Sequence, residues 1–277
     1  MVKVPKPGSR EGVAVIVDLD NCIGCRACQI ACQEWNGRKA VKTQFSPTFT
    51  NPQDLSADSW KVVFFKEFTV TKLLRLAEGD VELKDAVEVV PVPYNCMHCA
   101  DAPCARACPV GAIKVSPEGA VVIEPAECIG CGFCLGACPY NVPRKGGDGK
   151  YYKCSFCVDR IQAGRQPACV EVCPTNVFTF ASMSEAERLL ASQYKDKKVY
   201  GLNLDGYVGG RTRWIFVASK ESADKVFPAM FPEEAKNVSE LRDLANAFAL
   251  PGLGVLALGT LGLLGLAWLR ARRNGSH

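Results

Sequence analysis

Cys22-Ile-Gly-Cys25-Arg-Ala-Cys28-Gln-Ile-Ala-Cys32 is the stretch from which this chain can be read, because its pattern returns as Cys128-Ile-Gly-Cys131-Gly-Phe-Cys134-Leu-Gly-Ala-Cys138. Both copies space their thiols C-x2-C-x2-C-x3-C, both begin Cys-Ile-Gly-Cys and both end Ala-Cys, so the chain carries an internal duplication. Between and after them lie two variants. Cys96, Cys99, Cys104 and Cys108 read C-x2-C-x4-C-x3-C, and Cys154 and Cys157 are followed after 11 residues by Cys169 and Cys173. The last three groups each end in Cys-Pro, at Pro109, Pro139 and Pro174. Together the four groups use all 16 Cys of the 277 residues, several times ordinary usage.

This spacing is the bacterial ferredoxin run, in which three closely spaced thiolates hold one 4Fe-4S cluster and the fourth reaches a second cluster. A cubane needs thiolates at tetrahedral corners. A tight turn presents three from one side, while a fourth, three residues on and starting a helix, points away toward a neighbour. Disulfides and structural zinc are the competing readings. Repeated two-residue spacings suit metal sites better than disulfides, and a tetrahedral zinc knuckle has no need of the third thiolate in the triple run. Only two His exist, His98 and the terminal His277, which argues against bis-His haem and a His-rich zinc site. The net charge is +4, but Arg270, Arg272 and Arg273 sit in a tail from Leu244 onward that has no acidic residue. The remaining body has 30 basic against 29 acidic residues. Such a body lacks the basic footprint of a nucleic-acid binder, so no nucleic-acid partner is expected.

Around the runs, Val13 to Leu19 reads as a strand. Ala112 to Val115 and Ala120 to Ile123 flank the turn Ser116-Pro-Glu-Gly119, and Val177 to Phe180 follows the fourth run. The 63 residues from Gln33 to Asn95 form an insertion with strand-like stretches at Val62 to Val70 and Val87 to Val92. Ser184 to Lys195 reads as a helix opened by a Ser184/Glu187 capping box, and Trp214 to Ala218 as a strand. The Gly206-to-Arg211 loop before it does not match a dinucleotide fingerprint and reads as a plain turn. From Leu244 to Leu269 there are 26 consecutive uncharged residues, against roughly 20 needed to cross a bilayer. A single membrane helix is expected there, with Gly252, Gly259 and Gly262 open to another helix and Trp268 at the interface. Three Arg after the span put the C-terminus in the cytoplasm and the cluster domain on the periplasmic side of an inner membrane. No signal peptide is read at the N-terminus, so export with a signal-bearing partner is expected.

The chain resembles the four-cluster ferredoxin subunits of membrane-bound molybdopterin oxidoreductases, above all the beta subunit of respiratory formate dehydrogenase. The likeness rests on Cys22 to Asn36, Asn51-Pro-Gln-Asp-Leu-Ser-Ala-Asp-Ser-Trp60, Cys96-Met-His-Cys99 and Tyr152-Lys-Cys-Ser-Phe-Cys-Val-Asp-Arg160. The resemblance implies an α+β fold of two interleaved ferredoxin-like modules, each with two 4Fe-4S clusters, an inserted β-rich segment and one C-terminal transmembrane helix. Residues 1–35 with 150–182 would make the outer module, 36–91 the insertion, 92–149 the inner module, 183–243 a cap and connector, and 244–271 the membrane helix. It implies four clusters: on Cys22, Cys25, Cys28 and Cys173; on Cys32, Cys154, Cys157 and Cys169; on Cys96, Cys99, Cys104 and Cys138; and on Cys108, Cys128, Cys131 and Cys134. It further implies a non-catalytic electron-transfer subunit. Its partners would be a molybdopterin (Mo or W) catalytic alpha subunit that oxidises formate and a cytochrome b-type gamma subunit that reduces the quinone pool. Hydrogenase or sulfur-compound reductase complexes use the same kind of wire, and an enzyme acting at an open cluster iron is the rival of another class. His98, Lys153 and Arg160 are candidates for tuning the clusters, with surface or packing roles as the alternative.

Overall fold

The computed structural model describes residues 12–75, 81–202 and 211–231. Its central sheet starts from β1 (Val13–Asp18), a run of six residues all buried. Unbroken apolar runs belong to strands covered on both faces, and β1 divides its side chains accordingly. Val13, Val15 and Val17 enter the main core, while Ala14 and Ile16 enter a second, smaller one. A single 3-10 turn (Leu19–Asn21) leads to the first cysteine run and α1 (Ala27–Trp35). The helix opens before Cys28, not at Cys32 as the sequence reading has it. Cys28 and Cys32 therefore stand one turn apart on it.

The insertion folds as one long hairpin, β2 (Val62–Arg75) against β3 (Val81–Tyr94), in register from Val62↔Tyr94 to Arg75↔Val81. The sequence reading finds only Val62 to Val70 and Val87 to Val92, because Lys72, Arg75, Glu82, Lys84 and Asp85 break the apolar pattern toward the tip, although Pro91 and Pro93 lie within β3. In a two-stranded ribbon a proline nitrogen can face away from the partner at no cost in ladder hydrogen bonds. Then come α2 (Pro103–Arg106), the small hairpin β4 (Ile113–Val115) and β5 (Val121–Ile123), α3 (Phe133–Gly136), and the short pair β6 (Arg144–Lys145) and β7 (Tyr151–Tyr152). The fourth run is carried by α4 (Val158–Gln162) and α5 (Ala168–Glu171).

β8 (Phe178–Ser182) returns antiparallel to β1, and α6 (Met183–Ser192) starts directly from its end. The helix cap is Ser182, whose hydroxyl accepts from the Glu185 N–H at 3.2 Å, not Ser184 with Glu187. Both pairs fit the Ser-x-x-Glu pattern. Burial decides between them, since starting at Met183 puts Met183, Ala186 and Leu190 on the face against the sheet. β9 (Lys198–Tyr200), β10 (Trp214–Ala218) and α7 (Lys220–Met230) complete the described residues. β10 lies parallel to β1 and antiparallel to β9, so the sheet order is β8-β1-β10-β9. Residues after 183 thus build half of the central sheet rather than only covering it. The sequence reading assigns nothing to α7. Beyond its end, Phe231 stacks on Tyr200 (4.2 Å) and lies against Phe216 (4.8 Å).

The described residues all belong to one compact unit. The apolar stretch Leu244–Leu269 and most of the Gly-rich loop lie outside the described residues. Among the described residues no helix is long and apolar enough to cross a membrane.

Candidate metal centres

The cysteines gather in four places. Cys22, Cys25, Cys28 and Cys173 line a cavity of about 300 Å³ together with Val63, Pro93 and Phe178. Cys96, Cys99, Cys104 and Cys138 line one of about 340 Å³, which Lys153 also borders. Cys108, Cys128, Cys131 and Cys134 line a third of about 310 Å³, between Ile113, Ile123 and Tyr151. In the fourth place Cys32, Cys154, Cys157 and Cys169 are all buried, and Cys32 feels the charges of Cys154, Cys169 and Cys157 more than any others. Each of these places draws its cysteines from two separate stretches of chain.

Two helix pairs produce this exchange. α1 crosses α5, so that Cys28 is grouped with Cys173 while Cys32, one turn on, is grouped with Cys169. α2 crosses α3 in the same sense, grouping Cys104 with Cys138 and Cys108 with Cys134. The α1 end is locked by Trp35, whose indole N–H donates to Asp159 at 2.9 Å under the Arg160 guanidinium, 4.3 Å from its ring. Arg160 also donates to the Gln166 carbonyl at 2.7 Å and is paired with Glu171. Its role is thus packing beside Cys157 and Cys169 rather than display to solvent.

The Cys-x-x-Cys turn that opens each run places the residue before its second cysteine in the left-handed region: Gly24 (φ 68°), His98 (47°), Gly130 (72°) and Phe156 (63°). Glycine does this freely, and at Gly130 a side chain would also strike the Gly149 carbonyl. His98 and Phe156 accept the strain of about 1–2 kcal/mol that a side chain meets there. Their rings stack on each other at 4.6 Å, and both are fully buried. His98 Nδ1 accepts the Val121 N–H at 2.9 Å, so that nitrogen carries no proton. Backbone amides also point at sulfur, from Phe156 to Cys154 (3.3 Å), Val177 to Cys173 (3.4 Å) and Tyr151 to Cys128 (3.5 Å).

Burial dominates the electrostatics of the thiols. It pushes Cys28, Cys138 and Cys157 up to about 12 and Cys104 and Cys134 to about 11, with neighbouring thiolates adding to the rise. As free groups these are neutral thiols, and they become ligands only when iron displaces their protons. Two buried ammonium groups oppose this. Lys61, fully enclosed, donates to Asn95 Oδ1 at 2.7 Å and lies over the rings of Trp214 (4.2 Å) and Phe178 (4.7 Å). Burial alone would pull its pKa down, yet the charges of Cys169, Cys28, Cys154 and Cys32 outweigh it and the net direction is up. Lys153 donates to the Val121 carbonyl and to that of Cys154 (3.2 Å), among Cys96, Cys104 and Cys154. Lys61 escaped the sequence reading. The available signal was a lone charge among apolar neighbours, directly after Trp60 and before Val62-Val63-Phe64-Phe65.

The donor set fits 4Fe-4S cubanes. Four thiols line each of three apolar cavities, with backbone amides directed at Cys128 and Cys173. Among the described residues, no three His, Cys, Asp or Glu side chains converge on one point as a single zinc ion would need. Fold and site therefore define an iron–sulfur protein of the ferredoxin type, and a family model for the 4Fe-4S dicluster domain matches residues 87–183.

The chain is 38% identical over 207 residues to the formate dehydrogenase-O iron-sulfur subunit of Escherichia coli, covering 73% of this chain and 65% of that relative, so the match spans just under two thirds of the relative's length. It is 34% identical over 267 residues to the formate dehydrogenase iron-sulfur subunit of Haemophilus influenzae, covering 92% of this chain and 81% of the relative. A sulfite dehydrogenase subunit of Allochromatium vinosum is 30% identical over 200 residues, 69% of this chain and 77% of its own. The chain belongs to the formate dehydrogenase iron–sulfur subunit family.

Proposed function

We propose that this chain is the electron-transfer subunit of a membrane-bound formate dehydrogenase and carries four 4Fe-4S clusters on its sixteen cysteines. The observation that supports it best is the succession of the four cysteine sets. The sets of Cys25 and Cys131 each include an exposed cysteine, while the two that contain Cys154 and Cys96 have none, only Cys138 being half-buried. Each set also meets the next. Cys28 and Cys32 share α1, Cys154 and Cys96 act on each other electrostatically, and so do Cys104 and Cys134. A path with two interior stations and two accessible ends suits a wire between partners. The chain's own work is to hold the thiolates, exclude water and aim amide N–H groups at sulfur, which sets potentials. Bound clusters would supply one-electron redox chemistry.

In this reading one end faces a molybdopterin (Mo or W) catalytic subunit and the other a cytochrome b-type subunit that feeds the quinone pool. Leu244–Leu269 anchors the chain as a single membrane helix, with Arg270, Arg272 and Arg273 in the cytoplasm and the cluster domain outside it. The likeness to a sulfite dehydrogenase chain keeps a sulfur-compound oxidoreductase as the second reading. Purifying the native complex and identifying its subunits by mass spectrometry tests both. A formate dehydrogenase catalytic chain is the expected companion, and a sulfite-oxidising one would replace this reading by the second.

A further inference from the structure

Lys61 and Lys153 are enclosed cations. Lys61 donates to an amide oxygen, Lys153 to two backbone carbonyls and toward Cys96, and among the described residues neither is ion-paired to a carboxylate. An unpaired buried charge is too costly to keep without a counter-charge nearby. Their positions show where that charge lies. Lys61 sits over Phe178, which lines the Cys22 cavity, and its nearest charges divide between that set (Cys28) and the Cys154 set (Cys32, Cys154, Cys169). Lys153 lines the Cys96 cavity and holds the carbonyl of Cys154, so it stands between the Cys154 set and the Cys96 set. The gap leading to the Cys131 set contains no such lysine among the described residues: none lines that cavity.

We propose that Lys61 and Lys153 are positioning residues for electron transfer, fixed cations placed in two successive gaps to raise the reduction potentials of the clusters on either side. The inference rests on the four-cluster reading above. Four thiolates around a 4Fe-4S core leave a negative site that gains one further charge when an electron arrives, so a cation held beside it favours the reduced state. Each transfer takes one electron from one site and gives it to the next. The ammonium keeps its three protons throughout, and no proton moves. Because each lysine stands beside two sites and the Cys154 set has both, that set is lifted most and the Cys22 and Cys96 sets less, while the Cys131 end stays at its own lower level.

The test is an EPR-monitored redox titration of the iron-loaded full chain and of Lys61→Met and Lys153→Met, which keep the apolar stem and lose the charge. Each variant should lower two of the four midpoint potentials. At a fixed ambient potential the reduced-to-oxidised ratio of each affected cluster should fall by about tenfold, or about 59 mV for a one-electron couple. One cluster should respond to both variants, one to Lys61 alone, one to Lys153 alone and one to neither. Lys61→Arg, which restores the charge, should restore the potentials, a rescue that a purely packing role would not give. Unmoved potentials at full iron content, or a uniform shift of all four, would overturn the proposal. If Lys61→Met loses its iron, Asn95→Asp sets a carboxylate against the intact ammonium and must lower the same potentials; no change there overturns the proposal equally. Iron content well below sixteen in the parent chain would instead count against the four-cluster reading.

Discussion

The crossing of α1 over α5 makes a quantitative prediction about which cysteines act as tethers. With Cys28 and Cys173 on one cluster and Cys32 and Cys169 on the next, two cross-links join the same helix pair in antiparallel register. Treated as chain cross-links, the first closes roughly 145 residues and contributes about 5 kcal/mol, while the second then closes a ring of only about eight and contributes about 2.5 kcal/mol. Cys32→Ala removes one tether and Cys173→Ala the other, and each single variant leaves the long ring closed. Each should therefore cost about 2.5 kcal/mol, whereas the double variant, which opens the long ring too, should cost about 7.5 kcal/mol. The excess over additivity, about 2.5 kcal/mol, corresponds to a rate factor of about seventyfold. Iron release in urea, compared across the three variants, reads it directly. Anomalous iron maps should also show that Cys32→Ala disturbs the site of Cys154, Cys157 and Cys169. Additive effects, or damage confined to the site of Cys22, Cys25 and Cys28, would refute the exchanged arrangement.

Other outcomes follow from single features. The anaerobically purified chain should contain about sixteen iron and sixteen acid-labile sulfide, and stoichiometric zinc in place of iron would defeat the cluster reading. Ser182→Ala should lower thermal stability by about 1 kcal/mol while Ser184→Ala leaves it nearly unchanged, a comparison that calorimetry on the loaded protein can make. Phe156→Ala removes a fully buried ring stacked on His98 and should cost about 3–5 kcal/mol, with circular dichroism melts as the measure. Removing Leu244 onward should release a soluble chain with its iron intact, because every cysteine precedes that point; iron loss on truncation would contradict this.

The four cysteine runs were legible because ligand spacing is a local property. Cys22 to Cys32 and Cys128 to Cys138 announce their chemistry in eleven residues each. Gly24 and Gly130 carry a turn signal in the sequence as well, since a left-handed backbone selects glycine. His98 and Phe156 do not, because no local preference predicts a ring in that conformation, and only the stack between residues 58 positions apart makes it tolerable. The helix cap at Ser182 was ambiguous for a related reason. Two overlapping Ser-x-x-Glu patterns differ only in which face meets β1. Lys61 was invisible because its meaning lies in four sulfurs that come from two distant runs. The place of Lys198–Tyr200 and Trp214–Ala218 in the central sheet was likewise hidden, as parallel pairing of β10 with β1 joins the two ends of the unit.

The separation of the paired helices along the chain also imposes an order on synthesis. α2 and α3 leave the ribosome close together, and once Cys138 has emerged every cysteine around their two cavities is present. α1 must wait for α5, and β1 waits longer still, for its parallel neighbour Trp214–Ala218. Newly made chains thus hold Cys22 to Cys32 without Cys169 and Cys173 while every cysteine of the inner sets has already emerged. Oxidative damage during biogenesis should fall on that first run.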